Sequence, residues 1–204
     1  MNEPALAPGV VLPMRIESGD LVLRRWEPQD LQARFEAVRA SYEPLHQWMD
    51  WTAEPPTIEQ QAEFGEMQER GWPSDGSFNF GIFDAQTGAV LGMAGVHDHL
   101  GPGAVEIGYW CHVDHTGRGV ITRAAALLTA ASLDLAGIGW IEIHCDEANV
   151  RSAAVARRLG YRLDRIELDG IEAPAEVGRG MVWIMERAAF AGSPAERIAG
   201  GRAG

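Results

Sequence analysis

An α+β fold is expected for this 204-residue chain, and three features of its sequence predict it. Residues 77–84 and 89–96 are strand-like apolar runs joined by Ala85-Gln86-Thr87-Gly88, a connection ending in glycine that marks a hairpin. A third run begins at Ala104 after the Gly101-Pro102-Gly103 turn, so three antiparallel strands come in succession, unlike the alternation of a doubly wound sheet. The Ala/Leu-rich stretch from Val120 then leads to a strand at residues 140–145, and a strand, a long helix and a strand normally give parallel neighbours. A mixed, mostly antiparallel sheet flanked by helices follows.

The remaining elements are read in chain order. Residues 1–17, with Pro4, Pro8 and Pro13, form a loose lead-in, and residues 21–26 make the first strand. Pro28 suits the first turn of a helix running to about Ala40, with Leu31, Phe35 and Val38 on one face. An aromatic segment with Leu45, Trp48, Met49 and Trp51 ends at Pro55-Pro56, and Thr57 with Gln60 makes a capping box for the next helix. After residues 140–145, Asn149 is placed to cap a helix that Gly160 stops. Residues from Tyr161 and residues 180–186 close the fold as a hairpin around Asp169-Gly170, and the Gly/Ala-rich tail from Ala191 is expected to be mobile. One domain over residues 18–190 results, with flexible ends at 1–17 and 191–204.

Composition limits what the chain does. No apolar run reaches transmembrane length, and Met1 to Pro13 lacks the pattern of a signal peptide. Two cysteines, Cys111 and Cys145, do not make a secreted disulfide framework, so a cytoplasmic protein is expected. A formal net charge of −12 argues against duplex DNA and favours a cationic partner. His97-Asp98-His99 and Cys111-His112 hold ligand-type side chains without zinc spacing, so no metal is expected. Cys145 has no visible His/Asp constellation to make it a nucleophile.

The strongest local signal is residues 106–121. Val105, Ile107, Tyr109 and Cys111 alternate with Glu106, Gly108, Trp110 and His112 as in a strand, which breaks at Asp114 and passes through Gly117 and Gly119 into a helix. Such a turn aims backbone N–H groups into one concavity at a helix N-terminus, where an anion is favoured. The chain carries neither the Gly-x-x-x-x-Gly-Lys-Ser/Thr loop of nucleotide triphosphatases nor the Gly-x-Gly-x-x-Gly of dinucleotide folds.

Thr116-Gly117-Arg118-Gly119-Val120-Ile121 resembles the pyrophosphate loop of GNAT acetyltransferases. Gly119 matches, whereas Thr116 stands where Gln or Arg is usual and Ile121 where Gly or Ala is usual. Asn149-x-x-Ser152 followed by Ala156-Arg157-Arg158-Leu159-Gly160-Tyr161 resembles the second motif of the RimJ/RimL group, and Glu106-Ile107-Gly108-Tyr109-Trp110 before the pyrophosphate loop and the Trp48 to Trp51 spacing near the second helix resemble further features of that group. This resemblance covers roughly residues 21–186. It implies the GNAT fold, in which two central parallel strands splay apart and acetyl-coenzyme A lies in the gap. It implies cofactor contacts from Cys111, His112 and Val113, from Thr116, Gly117, Arg118, Gly119, Val120, Ile121 and Thr122, and from Asn149 and Ser152. A backbone N–H near His112 or Val113 would face the thioester carbonyl, and Ser152 would protonate the departing thiolate.

Acetyl transfer needs a neutral amine, a place for the growing oxyanion and a proton for the thiolate. An α-amine of pKa about 7.8 is roughly one-third neutral at about pH 7.5, whereas a lysine near 10.4 is only about 0.1 per cent neutral, so an N-terminus asks little of a base. Glu172 is the first choice for that base and Glu106 the second. Trp48, Trp51, His97, Asp98 and Tyr109 are candidate acceptor contacts, each with an alternative as packing or solvated surface. The acceptor implied is a protein N-terminal α-amine of the RimJ/RimL kind, or alternatively a small cationic amine such as a polyamine or an aminoglycoside. A non-catalytic acyl-coenzyme A sensor is the reading from a different class, and a homodimer stays open.

Overall fold

The computed structural model describes residues 5–7, 9–73 and 76–201. Its strands and helices, in chain order, are β1 (Arg15–Ser18), β2 (Leu21–Arg25), α1 (Leu31–Ala40), α2 (Tyr42–His46), α3 (Ile58–Glu69), β3 (Ser77–Asp84), β4 (Val90–His97), β5 (Ala104–Cys111), α4 (Val120–Leu133), β6 (Trp140–Asp146), α5 (Val150–Leu159), β7 (Arg162–Leu168), β8 (Arg179–Glu186), α6 (Arg187–Phe190) and α7 (Pro194–Ala199). All eight strands form one sheet in the order β1-β2-β3-β4-β5-β6-β8-β7. Only β5 and β6 run parallel, as the connection through α4 requires.

Helices cover the sheet on both faces, which explains why β3 and β4 read as continuous apolar runs. Alternate residues face opposite ways. Phe78, Phe80 and Ile82 join Val105 and Ile107 in the main core with α4, α5 and α7. Phe83, Val22 and Trp110 point to the other side, where Val38 of α1 and Leu45 of α2 complete a smaller cluster. Burying a side chain such as Phe78 contributes on the order of 2–3 kcal/mol.

Several local expectations are met at the atomic level. Thr57 accepts the Gln60 amide while the Gln60 side chain accepts the Thr57 amide, closing the box that starts α3. Gly160 ends α5 in the left-handed conformation with φ 85°. Asn149 caps α5 by accepting the Ser152 amide at 3.1 Å. Asn149→Ala should therefore cost about 1 kcal/mol. Thermal unfolding should show a Tm lower by roughly 2–4 °C, and an unchanged Tm would deny the cap its weight.

Parts of the two expected loose segments pack against the domain, while residues 1–4, 8 and 202–204 lie outside the described residues. Leu6 and Leu12 are buried in the core, and Asp98 accepts the backbone amides of Ala5 and Leu6 at 2.6 and 3.1 Å. Beyond the sheet, Ser193 caps α7, whose Ala195 is fully buried against α4 and α5. Composition misled here: small Ala and Gly side chains permit close helix packing as readily as disorder. In α1 the buried residues are Arg34, Ala37 and Val38, while Leu31 and Phe35 are half-buried. Arg34 is held by the Gln61 side chain and carbonyl and stacks near Trp26 and Phe64. The outer strand β7 is exposed throughout. Its Arg162, Asp164, Arg165 and Glu167, with a register shift between Leu163 and Arg165, are features that blunt a sheet edge against pairing.

Candidate functional site

The parallel pair separates soon after it forms. β5 and β6 pair only from Ala104↔Trp140 to Glu106↔Glu142, although β5 continues to Cys111 and β6 to Asp146. Each keeps its outer neighbour, β4 for β5 and β8 for β6, so the sheet opens as a wedge whose two walls stay rigid. A cleft of about 1630 Å³ fills that wedge and runs to the start of α4.

Backbone on the β5 wall is arranged by ladder alternation. The His112 amide donates to Leu91 at 2.9 Å, in register with the Gly92↔Cys111 pair. Alternation then turns the peptide edges of Tyr109 and Cys111 away from β4 and toward the gap. This corrects the expectation for His112 and Val113, because both amides are engaged elsewhere: the Val113 amide donates to the buried Ser41 hydroxyl at 3.0 Å. Ser41 anchors the loop from the α1–α2 junction, a contact 72 residues distant that no local pattern reveals.

The loop itself is exposed from Thr116 to Gly119, and Gly117 and Gly119 both have φ 75°. Gly119 is the N-cap of α4 and supplies no side-chain acceptor, so the first amides of that helix face the cleft unscreened. Gly117, Val120, Ile121 and Thr122 line the cleft; Thr116 lines it too but donates its hydroxyl back to Val113. The Arg118 side chain borders a small adjoining pocket rather than the cleft. Despite the chain's charge of −12, Arg123, Arg151, Arg158 and Arg197 line this region, the last of them from α7. Such a loop and fringe can hold a pyrophosphate.

Across the gap, Ser152 in the first turn of α5 meets Tyr109 of β5. Their hydroxyl oxygens lie 2.9 Å apart. Burial pushes the Tyr109 phenol well above its usual value, more than the Ser152 hydrogen bond lowers it. Asn149 lines the cleft beside them. The Cys111 thiol is pushed up to about 11 by burial and stays protonated.

The opposite face of the wedge carries a carboxylate among histidines. Glu106 lines the cleft, and its Oε2 lies 3.1 Å from His99 Nε2 and 3.7 Å from His144 Nδ1. Burial pushes this carboxyl up, but the His99 hydrogen bond and the nearby histidine charges outweigh it and hold the group below its ordinary value. His144, which sequence reasoning missed, lines the cleft with its Nε2 2.6 Å from Glu142. Period-two alternation from Glu142 was the signal that placed it on the same face.

Among the base and acceptor candidates, four fall outside the cleft. Glu172 is exposed on the 169–178 loop, where its amide donates to Glu176 at 2.7 Å. The loop curls so that Glu176, not Glu172, reaches the cleft lining. His97 bonds Ser77 at 2.9 Å and packs over Gly95 and Gly108. A Cβ on Gly108 would meet its Nε2 at 3.1 Å, which accounts for the glycine inside β5. Asp98 is committed to the lead-in, and Trp51 is half exposed away from the cleft, while Trp48 does line it. Asp146 was also missed. Its Oδ2 accepts the amides of Val177, Gly178 and Arg179, fixing the loop over the cleft mouth. Among the described residues no group of His, Cys, Asp or Glu is arranged to hold a metal, and no helix is long and apolar enough to cross a membrane.

Comparison with known proteins places this geometry. Residues 20–162 match the family model described as the acetyltransferase (GNAT) domain. YdaF of Bacillus subtilis (strain 168), provisionally named a ribosomal N-acetyltransferase, is 25% identical over 154 residues, which are 74% of this chain and 82% of that protein. Mycobacterium smegmatis RimJ, solved with a coenzyme A disulfide, superposes with a TM-score of 0.75 at 20% identity, covering 89% of this chain and 90% of RimJ. The microcin C7 self-immunity acetyltransferase MccE, solved with acetyl-CoA and AMP, gives 0.75 at 18% identity over 89% and 98% of the two chains.

Proposed function

This chain belongs to the GNAT family of acetyltransferases, and we propose that it transfers acetyl from acetyl-CoA by direct attack of a protein N-terminal α-amine. The observation that carries the reading is the wedge between β5 and β6, with a phosphate-type loop at one end and two proton-handling groups on opposite walls. The Gly117–Gly119 backbone and the first turn of α4 hold the pyrophosphate. The peptide edges of Tyr109 and Cys111 pair with the pantetheine arm, and a backbone N–H there faces the growing oxyanion. Ser152, hydrogen-bonded to Tyr109, delivers its proton to the leaving sulfur and regains one from the nitrogen as the amide forms. Asn149 caps α5 with Oδ1 and offers its amide N–H₂ to the same arm.

On the acceptor side, Glu106 takes the proton of the incoming ammonium and Trp48 walls the approach. Glu106 replaces Glu172 as first choice because it lies within the cleft. YdaF supports the acceptor assignment by its name. A small cationic amine is the second reading, favoured by Asp146, Asp169 and Glu176 along the same lining. Purified protein given acetyl-CoA with N-terminally free peptides, polyamines and aminoglycosides, followed by thiol release, tests both. Turnover on peptides alone is the expected result, and turnover on polyamines or aminoglycosides alone reassigns the acceptor. Tight acetyl-CoA binding without turnover on any of them would identify a sensor.

A further inference from the structure

We propose that His99 relays to bulk water the proton that Glu106 removes from the acceptor, with His144 and Glu142 steadying Glu106 from the cleft side. This rests on the acetyl-transfer reading and deepens it, since it gives the base a way to reset between turnovers.

The geometry sets a direction. Both histidines approach Oε2 of Glu106, which leaves Oε1 for the acceptor nitrogen. Glu106 has only 18% of its side chain exposed, whereas His99 has 57% and stands outside the cleft. A carboxyl at 3.1 Å from an imidazole nitrogen on the solvent side has a one-step path that bypasses the cleft the substrates fill. His144 is unsuited to that exit, because Glu142 grips its Nε2 at 2.6 Å and itself accepts from Trp140 Nε1 at 2.9 Å. The pair fixes the wall against which Glu106 rests.

The steps balance. An acceptor N–H⁺ bond breaks as a Glu106 Oε1–H bond forms. The carboxyl then turns about its Cγ–Cδ bond to bring that O–H against His99, the O–H bond breaks as an Nε2–H bond forms on the Nδ1–H tautomer of the imidazole, and the imidazolium passes a proton to water. Neutral His99 must be present when Glu106 is loaded. Among the described residues, the groups facing this pair include His97 on β4, Asp98 beside His99, His144 and Glu142 on β6, and Arg165 of β7 at 3.8 Å from Glu142. The Glu106 hydrogen bond raises the His99 value, more than burial lowers it, so His99 is protonated over a wider range than an ordinary histidine. The relay therefore stalls as pH falls through that raised value, and kcat should show an acid limb there.

The test uses the full chain with acetyl-CoA and a hexapeptide carrying a free N-terminal alanine, in weak buffer. His99→Ala should lower kcat on the order of tenfold with both KM values unchanged, and added imidazole should restore it. Rescue by ring-substituted imidazoles should follow their basicity. His99→Gln keeps a hydrogen-bond donor for Glu106 but cannot relay, so it should be as slow as His99→Ala. Wild-type kcat in His99→Ala, a loss that imidazole leaves untouched, or full activity in His99→Gln would each overturn the relay while leaving acetyl transfer intact. Failure of the wild-type chain to turn over any acceptor would overturn the acetyl-transfer reading and the relay with it.

Discussion

Gly119→Val is expected to weaken acetyl-CoA binding by roughly a hundredfold or more, the larger of the effects expected on affinity. Two costs combine. At φ 75° the backbone of Gly119 lies in the left-handed region, which costs an L-residue about 1–2 kcal/mol and a β-branched one more. A side chain would also stand in the open concavity where a phosphate must reach the first amides of α4. Since about 1.4 kcal/mol is tenfold, losing one close backbone contact in addition to that strain gives the stated factor. Calorimetric titration with acetyl-CoA measures it, and a far-ultraviolet dichroism melt shows whether the fold persists. A folded Gly119→Val chain that binds acetyl-CoA as the wild type does would remove this loop from the cofactor site. Gly117 has the same φ and no neighbour within contact of an added Cβ, so Gly117→Val should weaken binding in the same direction.

Legibility of the fold followed the range over which each signal acts. Periodicity, caps and turn glycines are local, and they located β3, β4, the Thr57 box and the Asn149–Gly160 helix to within a residue or two. The site divided along the same line. Gly117, Gly119, Asn149 and Ser152 carry motifs in their own sequence neighbourhood, and the structure brings them to one cleft. What escaped depends on contacts across tens of residues. Ser41 takes the Val113 amide, Asp146 ties down residues 177–179, and the 169–178 loop directs Glu176 inward and Glu172 out. His97 illustrates the converse: its residue type invited a functional role, but its place over Gly95 and Gly108 is set by strand pairing. Strand pairing likewise decides which peptide edge is free: the His112 amide is spent on Leu91, which leaves that of Cys111 for the gap.

Ser152→Ala should lower kcat by about a hundredfold while leaving the KM for acetyl-CoA nearly unchanged, because the proton it delivers is needed only once the C–S bond is breaking. Tyr109→Phe should do nearly the same. The two hydroxyls are 2.9 Å apart, and either can donate to the other, so they form one path to the sulfur. The double variant is then expected to be no slower than the slower single, since groups that act as a unit lose their effect together. Burial holds the Tyr109 phenol protonated throughout the working pH range, so its ionisation contributes no basic limb to the wild-type profile. Wild-type turnover in Ser152→Ala would take Ser152 out of the mechanism. Losses that multiply in the double variant would instead give the two hydroxyls separate tasks, with Tyr109 acting on the pantetheine arm or the acceptor, and Ser152 alone on the thiolate.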